Sequence, residues 1–256
     1  MKKALAIILA IVSVLSILSF AGCGTPKTDM ERIKKEGKII VGITDYPPMN
    51  YKEGDKWVGF DTELTEAFAK KLGVEVEFIE INWDNKFIDL KAGTIDCIWN
   101  GMTITPEAIK SADISDVYLK NSQVVVLPAS KADSVKSIDD LKDLSFAVEK
   151  GSAGKGAAED NGLTFTEVDV MSKALLEVQS GTSDACIVDK TLAEATVGKG
   201  SYTDLAISIT LKQEDFGVAF RQGSDLTAEF NAFLKEYQES GEFEKLAEKY
   251  DVKIEK

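Results

Sequence analysis

Two short polar loops follow apolar runs of the chain and carry residues that can bind a small charged molecule. The run IDCIW ends at an Asn-Gly pair (100–101), continues through Thr103, and enters Thr-Pro-Glu (105–107), which is typical of a helix start. The run ACIV ends at Asp189. Hydroxyl and amide groups beside a helix N-terminus can hold an anion, and a carboxylate can hold a cation. These loops are therefore the first candidates for a binding site.

Further candidates stand where other strands and helices are predicted to end. Tyr46 lies in a turn before two prolines. Its ring can cover an apolar group or face a cation. Glu149 ends the run LSFAV, and the glycine-rich stretch that follows, with Ser152 and Ala153, is predicted to be a loop whose backbone N–H groups are free for an anion.

Each candidate also has a purely structural interpretation. Asp189 can cap the helix predicted over KTLAEATV, and Tyr46 can be a turn residue that packs on its neighbours. Trp83 and Trp99 can belong to the core, because large aromatic residues beside strand ends often do. Trp99 and Glu149 are therefore the secondary candidates. The acids of EDFGV are expected to be solvated.

The elements that must position these residues follow one pattern twice. Strand, helix, strand, helix and buried strand run from KIIVGIT to IDCIW, which predicts an α/β unit with a mostly parallel sheet. The order recurs at a shift of 88 or 89 residues, with Gly-Thr at 93–94 and at 181–182, and with Asp96 matched by Asp184. The chain therefore predicts two related lobes.

Ligands of open α/β sheets bind outside the carboxyl ends of the strands, so two such lobes would meet at one cleft. The segments NSQVVVLP and EDFGVAF are predicted to cross between the lobes as a two-strand hinge. The fold class is thus α/β, a two-lobed periplasmic-binding-protein-like fold with two related, mostly parallel sheets. The predicted division is signal peptide 1–22, flexible tether 23–36, lobe 1 37–121, lobe 2 122–217, and the C-terminal part of lobe 1 218–256.

The N-terminus has the composition of an export signal. A charged start precedes a long apolar run, and small residues precede Cys23. This order predicts a lipoprotein whose Cys23 is acylated after cleavage, which places the body on the outer face of the membrane or in the periplasm. A plain transmembrane anchor is the alternative.

Composition narrows the function further. The chain has 30 basic and 43 acidic residues and no histidine, and removal of residues 1–22 leaves a net charge of −15. Nucleic acid is an unfavourable partner for such a chain, and the usual neutral-pH general base is missing. We expect a monomer with no metal site and no cofactor. Cys97 and Cys186 lie in separate apolar runs and are expected to be buried thiols, with a disulfide as the alternative.

The body resembles the extracellular solute-binding proteins that deliver polar amino acids to ABC importers. The resemblance rests on DYPPMNY, VGFDTELTEAFAKKLGVEVEF, IDCIWNGMTITPE, KSIDDLKDLSFAVEKGS and SGEFEKLAEKY, and spans about Lys38 to Val252. It implies a membrane permease as partner. The implied ligand contacts are as follows: aromatic residues Tyr46 and Trp83, carboxylate-binding groups of Asn100, Gly101, Thr103, Ser152 and Ala153, and the ammonium-binding Asp189.

One position departs from the family pattern. The family has an arginine that clamps the ligand carboxylate three residues after the second threonine of this loop, and this chain has Ala108. Without that cation, Asp189 and Glu149 make the predicted cleft negative, which favours a zwitterionic or cationic ligand. We expect the ligand to be an amino acid or a related amine.

Two other functions share this architecture. A cyclohexadienyl dehydratase would need a catalytic glutamate three residues beyond Asp189, where this chain has Leu192, and would also use the missing arginine. The sequence therefore predicts no catalytic residue. A sensor domain that reports its ligand to a receptor would use the same cleft and would differ only in its partner.

Overall fold

A computed structural model describes residues 28–254 of the chain. The α-helices are α1 (Asp29–Glu36), α2 (Phe60–Leu72), α3 (Lys86–Ala92), α4 (Pro106–Ser111), α5 (Ala129–Ala132), α6 (Ala153–Asp160), α7 (Met171–Gln179), α8 (Lys190–Thr196), α9 (Leu226–Glu239) and α10 (Glu242–Lys249). The strands are β1 (Lys38–Ile43), β2 (Tyr51–Glu53), β3 (Lys56–Val58), β4 (Glu75–Glu80), β5 (Cys97–Ile98), β6 (Asp113–Ile114), β7 (Leu119–Pro128), β8 (Ser145–Glu149), β9 (Thr164–Val168), β10 (Ala185–Asp189), β11 (Leu205–Phe216) and β12 (Ala219–Phe220). Short 3-10 helices cover Trp83–Asn85, Ile138–Leu141 and Gly200–Tyr202.

Two five-stranded sheets define two lobes. Lobe 1 has the strand order β4-β1-β5-β12-β6, and lobe 2 has the order β11-β7-β10-β8-β9. In each sheet three strands are parallel, and the strands next to the crossings add two antiparallel pairs. The expectation of mostly parallel sheets therefore holds only for the repeated part, because a chain that returns to a sheet by a short crossing runs against its neighbour.

The sequence repeat corresponds to a repeat in space. The order β4-β1-β5 in lobe 1 matches β9-β8-β10 in lobe 2. Asp96 accepts a hydrogen bond from the backbone N–H of Ile40 (2.9 Å), and Asp184 accepts one from the backbone N–H of Ser145 (3.1 Å). In both lobes an aspartate just before the third parallel strand thus ties that strand to its central neighbour.

The chain passes between the lobes at two adjacent places. Residues 115–118 lead from β6 to β7, and residues 217–218 lead from β11 back to β12. The two crossings bond to each other, through Ser115 N–H to the Val218 carbonyl (2.9 Å) and Tyr118 N–H to the Phe216 carbonyl (3.1 Å). Beyond them, β7 and β11 form a long antiparallel pair. This pair is the two-strand hinge that the sequence predicts.

Residues 29–36 are a packed helix, which corrects the expectation of a flexible tether there. Thr28 caps α1, Gly37 ends it in a left-handed conformation, and Ile33 is fully buried against lobe 1. Arg32, expected to lie before the fold, pairs with the buried Asp96. The polar stretch GTPKTD suggested a tether, but MERIKKE has the amphipathic pattern of a short helix. Residues 23–27 lie outside the described part of the chain.

Arg221 holds the same corner of lobe 1 together. It donates to Asp29 (2.6 Å), Asp96 (3.1 Å) and the carbonyl of Ile95 (2.6 Å). Cys97 and Cys186 are free, buried thiols, as expected. Across residues 28–254, no helix has the length and apolar character that a membrane crossing needs. The predicted signal peptide and Cys23 lie outside these residues.

Candidate functional site

A cavity of about 800 Å³ lies between the two lobes, at the carboxyl ends of the parallel strands. Nine of the ten candidate residues line it, from both lobes and from loops far apart in sequence. They are Tyr46, Trp83, Asn100, Gly101, Thr103, Glu149, Ser152, Ala153 and Asp189. A volume of this size suits a small molecule the size of an amino acid or somewhat larger.

Asp189 ends β10 with its carboxylate inside the cavity wall. Its side chain is 3% exposed, makes no capping hydrogen bond to α8, and accepts one from the Gln123 amide. Burial, and then the nearby Glu214 carboxylate, raise the pKa of Asp189 to about 7. The helix-cap interpretation therefore does not account for this side chain, which needs a cation or a proton.

Tyr46 faces Asp189 from the other lobe. The Tyr46 side chain is 2% exposed, and its hydroxyl has no hydrogen-bond partner of normal geometry within residues 28–254. Burial and the negative charge of Asp189 raise the pKa of the Tyr46 hydroxyl well above its usual value. An aromatic ring from lobe 1 and a carboxylate from lobe 2 thus meet in one cavity, an arrangement that can bind an ammonium group.

Glu149 is a second buried carboxylate at the end of the adjacent strand, β8. It is 3% exposed, and its Oε1 atom has no hydrogen-bond partner among the described residues. Burial, followed by repulsion from Asp189, raises the pKa of Glu149 to about 8. Asp189 and Glu149, at neighbouring strand ends, therefore repel each other when both are ionised, and a bound cation would relieve this repulsion.

Gly101 is required by close packing rather than as a free backbone donor. Its φ is 55°, and a Cβ at this position would lie 2.6 Å from the Tyr46 ring. Its N–H donates to the buried Asp61 carboxylate (2.7 Å), which also accepts from the Tyr118 hydroxyl (3.0 Å). Burial raises the pKa of Asp61 to about 7. The Gly101 N–H, which was expected to donate to a ligand carboxylate, is therefore already bonded to Asp61.

The Asn100 side chain is also used within lobe 1. Its amide nitrogen donates to the Thr44 hydroxyl (2.7 Å), and its carbonyl oxygen accepts from Thr44 N–H (3.1 Å) and from the Asn50 amide (2.8 Å). These bonds fix the loop between β5 and α4 against the turn after β1. Asn100 lines the cavity as part of this frame, and its amide is already satisfied.

Thr103 connects the same loop to the hinge. Its hydroxyl donates to Glu214 of β11, and the Gln123 amide of β7 donates to both Glu214 (3.2 Å) and Asp189. Glu214 is half-buried, and burial raises its pKa. The expectation that the acids of EDFGV are simply solvated is wrong for Glu214, because β11 turns this side chain toward the cavity.

Ser152 and Ala153 form the beginning of α6, where the sequence analysis expected a loop. The Ser152 hydroxyl oxygen caps the helix by accepting from Lys155 N–H (3.1 Å). A serine cap outweighs the glycines that follow, because it satisfies one of the N–H groups that a helix start leaves open. The N-terminus of α6, with its partial positive charge, therefore points into the cavity.

Trp83 and Lys86 form the opposite wall, although Lys86 is not among the residues that the sequence predicts for the site. Trp83 is 7% exposed, packs in the core of lobe 1 and also lines the cavity. Lys86 is also 7% exposed, and its Nζ lies 4.8 Å from the Trp83 ring centre and donates to the Gly151 carbonyl of lobe 2 (2.8 Å). A lysine in the first turn of a helix is ordinarily exposed, so no local signal marks it.

Trp99 is the one candidate that the structure does not bring to the cavity. It is fully buried in the core of lobe 1, where its ring meets Phe230 edge-on at 4.8 Å and lies 6.2 Å from Phe68. Successive residues of an extended chain point to opposite sides, so Trp99 faces the helices while Asn100 faces the cleft side.

The cavity is predominantly acidic. Seven carboxylate side chains and three lysines line it. Two of those lysines, Lys155 and Lys212, pair with acids of lobe 2, at 2.8 Å to Glu167 and 3.6 Å to Asp160. The field inside the cleft therefore attracts cations, and the buried carboxylates gain most from them.

Comparison with known proteins identifies the family. Residues 39–253 match the model of the bacterial extracellular solute-binding proteins, family 3. The chain belongs to this family. The solute-binding protein is 36% identical over 260 residues to the arginine-binding extracellular protein ArtP of Bacillus subtilis (strain 168), a match that covers 98% of each chain.

Solved structures agree with the two-lobed fold. A crystal structure of a mutant of ArgBP from T. maritima matches with a TM-score of 0.82 and 33% identity, over 88% of this chain and 99% of the other. The ancestral amino acid-binding protein AncCDT-1, a precursor of cyclohexadienyl dehydratase, matches with a TM-score of 0.81 and 33% identity, over 87% and 99%. This solute-binding protein is an extracellular amino acid-binding component of ABC import.

Proposed function

We propose that this solute-binding protein captures a cationic amino acid, such as arginine, in the cleft between its lobes. The observation that carries the proposal is the pair of buried carboxyl groups, Asp189 and Glu149, at neighbouring strand ends of an acidic cavity. An α-ammonium group can satisfy Asp189, and a positively charged side chain can satisfy Glu149. The arginine-binding relatives support the same ligand class.

The remaining cavity residues have supporting roles in this proposal. Tyr46 and Trp83 cover the ligand, and Tyr46 adds a cation-π contact to the ammonium group. Ser152 and Ala153, at the start of α6, supply backbone donors to the carboxylate. Asn100, Gly101 and Thr103 hold the loop that forms the floor. The predicted lobe boundaries at 37–121, 122–217 and 218–256 belong to the proposal with two adjustments. The first crossing lies at residues 115–118, a few residues before 121, and α1 adds residues 29–36 to lobe 1.

Titration calorimetry tests the ligand class. The purified mature body, residues 24–256, should bind L-arginine, L-lysine or L-ornithine at least about a hundredfold more tightly than L-glutamine or L-glutamate, because only the former bring a second positive charge to Glu149. Native mass spectrometry of protein prepared without denaturation should show a co-purified ligand of the same class. Tight binding of an acidic amino acid would contradict the proposal.

We also propose that Cys23 is acylated and tethers the protein to the outer face of the membrane as a monomer, for delivery to a permease. The small residues before Cys23 and the family membership support this. In cells labelled with radioactive palmitate, the full chain should carry the label, and the Cys23→Ala variant should not. Equal labelling of the two proteins would contradict acylation at Cys23.

Binding without catalysis is part of the same proposal. The position three residues beyond Asp189 holds Leu192, which is fully buried in lobe 2 and offers no proton to a substrate. The similarity to AncCDT-1 makes the alternative worth one assay. Incubation of the purified protein with prephenate should give no phenylpyruvate, whereas turnover would support the dehydratase alternative.

A further inference from the structure

Lys86 is a buried cation in the cavity that has no paired carboxylate. Its Nζ atom donates to two main-chain carbonyls, those of Trp83 (3.1 Å) and Gly151 (2.8 Å). Within residues 28–254 Lys86 forms no ion pair, in contrast to Lys155 and Lys212. Burial lowers the pKa of Lys86. A buried ammonium that contacts only neutral oxygens gains strongly from an added anion.

The ammonium of Lys86 lies beside the N-terminus of α6. The carbonyl that it contacts belongs to Gly151, which directly precedes Ser152, the cap of that helix. Ser152 occupies the N–H of Lys155, so the N–H groups of Ala153 and Gly154 have no acceptor within the helix. A lysine of lobe 1 and a helix start of lobe 2 thus converge on one corner of the cavity, and both favour an anion.

Carboxylates surround this corner, but none of those in the described residues pairs with Lys86. Glu107, Glu149 and Asp84 are near enough for their charges to act on Lys86, and Asp84 pairs with Lys150 instead (3.0 Å). Asp189 and Glu149 stand at the carboxyl ends of β10 and β8, whereas Lys86 is on α3 of the opposite lobe. The cavity therefore offers acidic strand ends to amino groups, and it offers a lysine without an ion pair, beside a helix start, to a carboxylate.

We propose that Lys86 and the N-terminus of α6 together bind the α-carboxylate of the ligand. An ammonium has three N–H donors, and the two carbonyls leave one for the ligand. Because the corner combines groups of both lobes, it is complete only when the lobes are close together. The assignment rests on the proposed binding of an amino acid in this cleft and names the group that recognises its carboxylate.

The test compares an amino acid with its amide, which keeps every group except the negative charge. Dissociation constants of L-arginine and L-argininamide are measured by calorimetry for the wild type and for Lys86→Met, and the variant-to-wild-type ratio is taken for each ligand. We expect Lys86→Met to weaken L-arginine binding at least about thirtyfold and L-argininamide binding less than about threefold. Lys86→Arg should retain most of the L-arginine affinity.

Lys150→Met is the matched control, because Lys150 is an exposed lysine of lobe 2 that bridges the lobes to Asp84 (3.0 Å). It should change both ligands by the same small factor. Equal losses for acid and amide in Lys86→Met would mean that Lys86 only holds the lobes together, and no loss would place it outside the site. Either result overturns the assignment, provided that thermal melting shows a folded variant.

The same comparison with L-histidine and L-histidinamide separates the two proposals. If L-arginine, L-lysine and L-ornithine all fail to bind the wild type but L-histidine binds and loses affinity selectively in Lys86→Met, the cationic-ligand proposal is wrong and the Lys86 assignment holds. If L-arginine binds and Lys86→Met weakens acid and amide alike, the reverse is true. If none of these four amino acids binds, both are overturned.

Discussion

The two lobes end their equivalent strands in residues of different charge. The registers of the central strand pairs make Thr44 of lobe 1 equivalent to Glu149 of lobe 2, and Gly101 equivalent to Asp189. Both positions in lobe 1 are neutral, and both in lobe 2 are acidic. Lobe 1 instead supplies the aromatic rings of Tyr46 and Trp83.

Away from the cleft the two lobes keep the same device. Asp96 and Asp184 each tie a parallel strand to its central neighbour, through Ile40 and Ser145. The two lobes thus share the residues that hold their sheets together, and they differ in the residues that face the ligand cavity. We therefore expect substitutions at the shared positions to affect stability, and substitutions at the unlike positions to affect binding.

The largest effect is expected at Asp96, where the shared device is buried. Its carboxylate is 1% exposed and pairs with Arg32 and Arg221, so Asp96→Asn takes one anionic partner away from two partly buried guanidinium groups and leaves a neutral amide between them. We expect a loss of about 3 to 5 kcal/mol in the free energy of unfolding, measured by urea denaturation.

Asp184→Asn is the matched control in lobe 2. The Asp184 side chain is 40% exposed, and its lysine partner, Lys131, lies 3.5 Å away at the surface. An asparagine oxygen can still accept from Ser145, so we expect less than about 1 kcal/mol. Equal losses at Asp96 and Asp184 would show that the arginines add nothing to the shared device.

Asp189→Asn should have the next largest effect, and it should act on binding. The amide cannot neutralise a bound ammonium, so we expect a loss of roughly 2 to 5 kcal/mol in the free energy of binding L-arginine by calorimetry. Asp215→Asn is the control, because Asp215 is 45% exposed at the cavity rim and pairs with Lys120. If both variants bind L-arginine as tightly as the wild type does, the acidic strand ends of lobe 2 do not bind the positive charge of the ligand.

The acidic strand ends of lobe 2 also predict a dependence on pH. In the free protein the pKa values of Asp189 and Glu149 are about 7 and 8, so a cationic ligand must displace protons. L-arginine affinity should therefore rise between pH 6 and 8.5, by at most about tenfold per pH unit for each carboxyl. Glu149→Gln should flatten the upper part of this rise. A flat profile in the wild type would contradict the role of these groups.

Stability without ligand should change in the opposite direction. A carboxyl group with a raised pKa binds its proton more tightly in the folded than in the unfolded chain, so the free energy of unfolding falls as pH rises from about 4 to about 8. Asp61, with a pKa of about 7, contributes to the same fall. Urea denaturation at several pH values measures the slope, which should be smaller in Glu149→Gln.

The smallest effect is expected from Ala108→Arg, which would give lobe 1 a second cation near the carboxylate. Ala108 is 1% exposed in the first turn of α4, so the longer side chain must displace packed neighbours. We expect the preference for L-arginine over L-argininamide to increase by about three- to tenfold. An unchanged preference would show that this helix start does not reach the ligand.

The sequence predicted the parts of the site that depend on strand ends. Asp189, Glu149 and the loop after Trp99 each follow an apolar run, and parallel strands bring their carboxyl ends together whatever the loops contain. The repeat predicted which strand ends meet. Local pattern could not assign the side of the chain on which Trp99 packs, because one residue decides it.

The parts that sequence reasoning missed depend on contacts between distant segments. Lys86 lies 65 residues from Gly151, and nothing in DNKFIDLKAG indicates that lobe 2 will cover its side chain. Glu214 was placed among surface acids, because only the pairing of β11 with β7 brings it beside Gln123. The Asn100 amide and the Gly101 N–H are already hydrogen-bonded within lobe 1, and a sequence motif does not show such bonds.

The packing of α1 on lobe 1 sets how the protein stands on a membrane. With Cys23 acylated as proposed, only residues 23–27 separate the lipid from the helix that Ile33 and Arg32 fix in place. Five extended residues span at most about 17 Å, so lobe 1 is confined close to the lipid headgroups. Any opening of the cleft at the hinge would then move lobe 2, with its acidic strand ends, relative to the membrane surface.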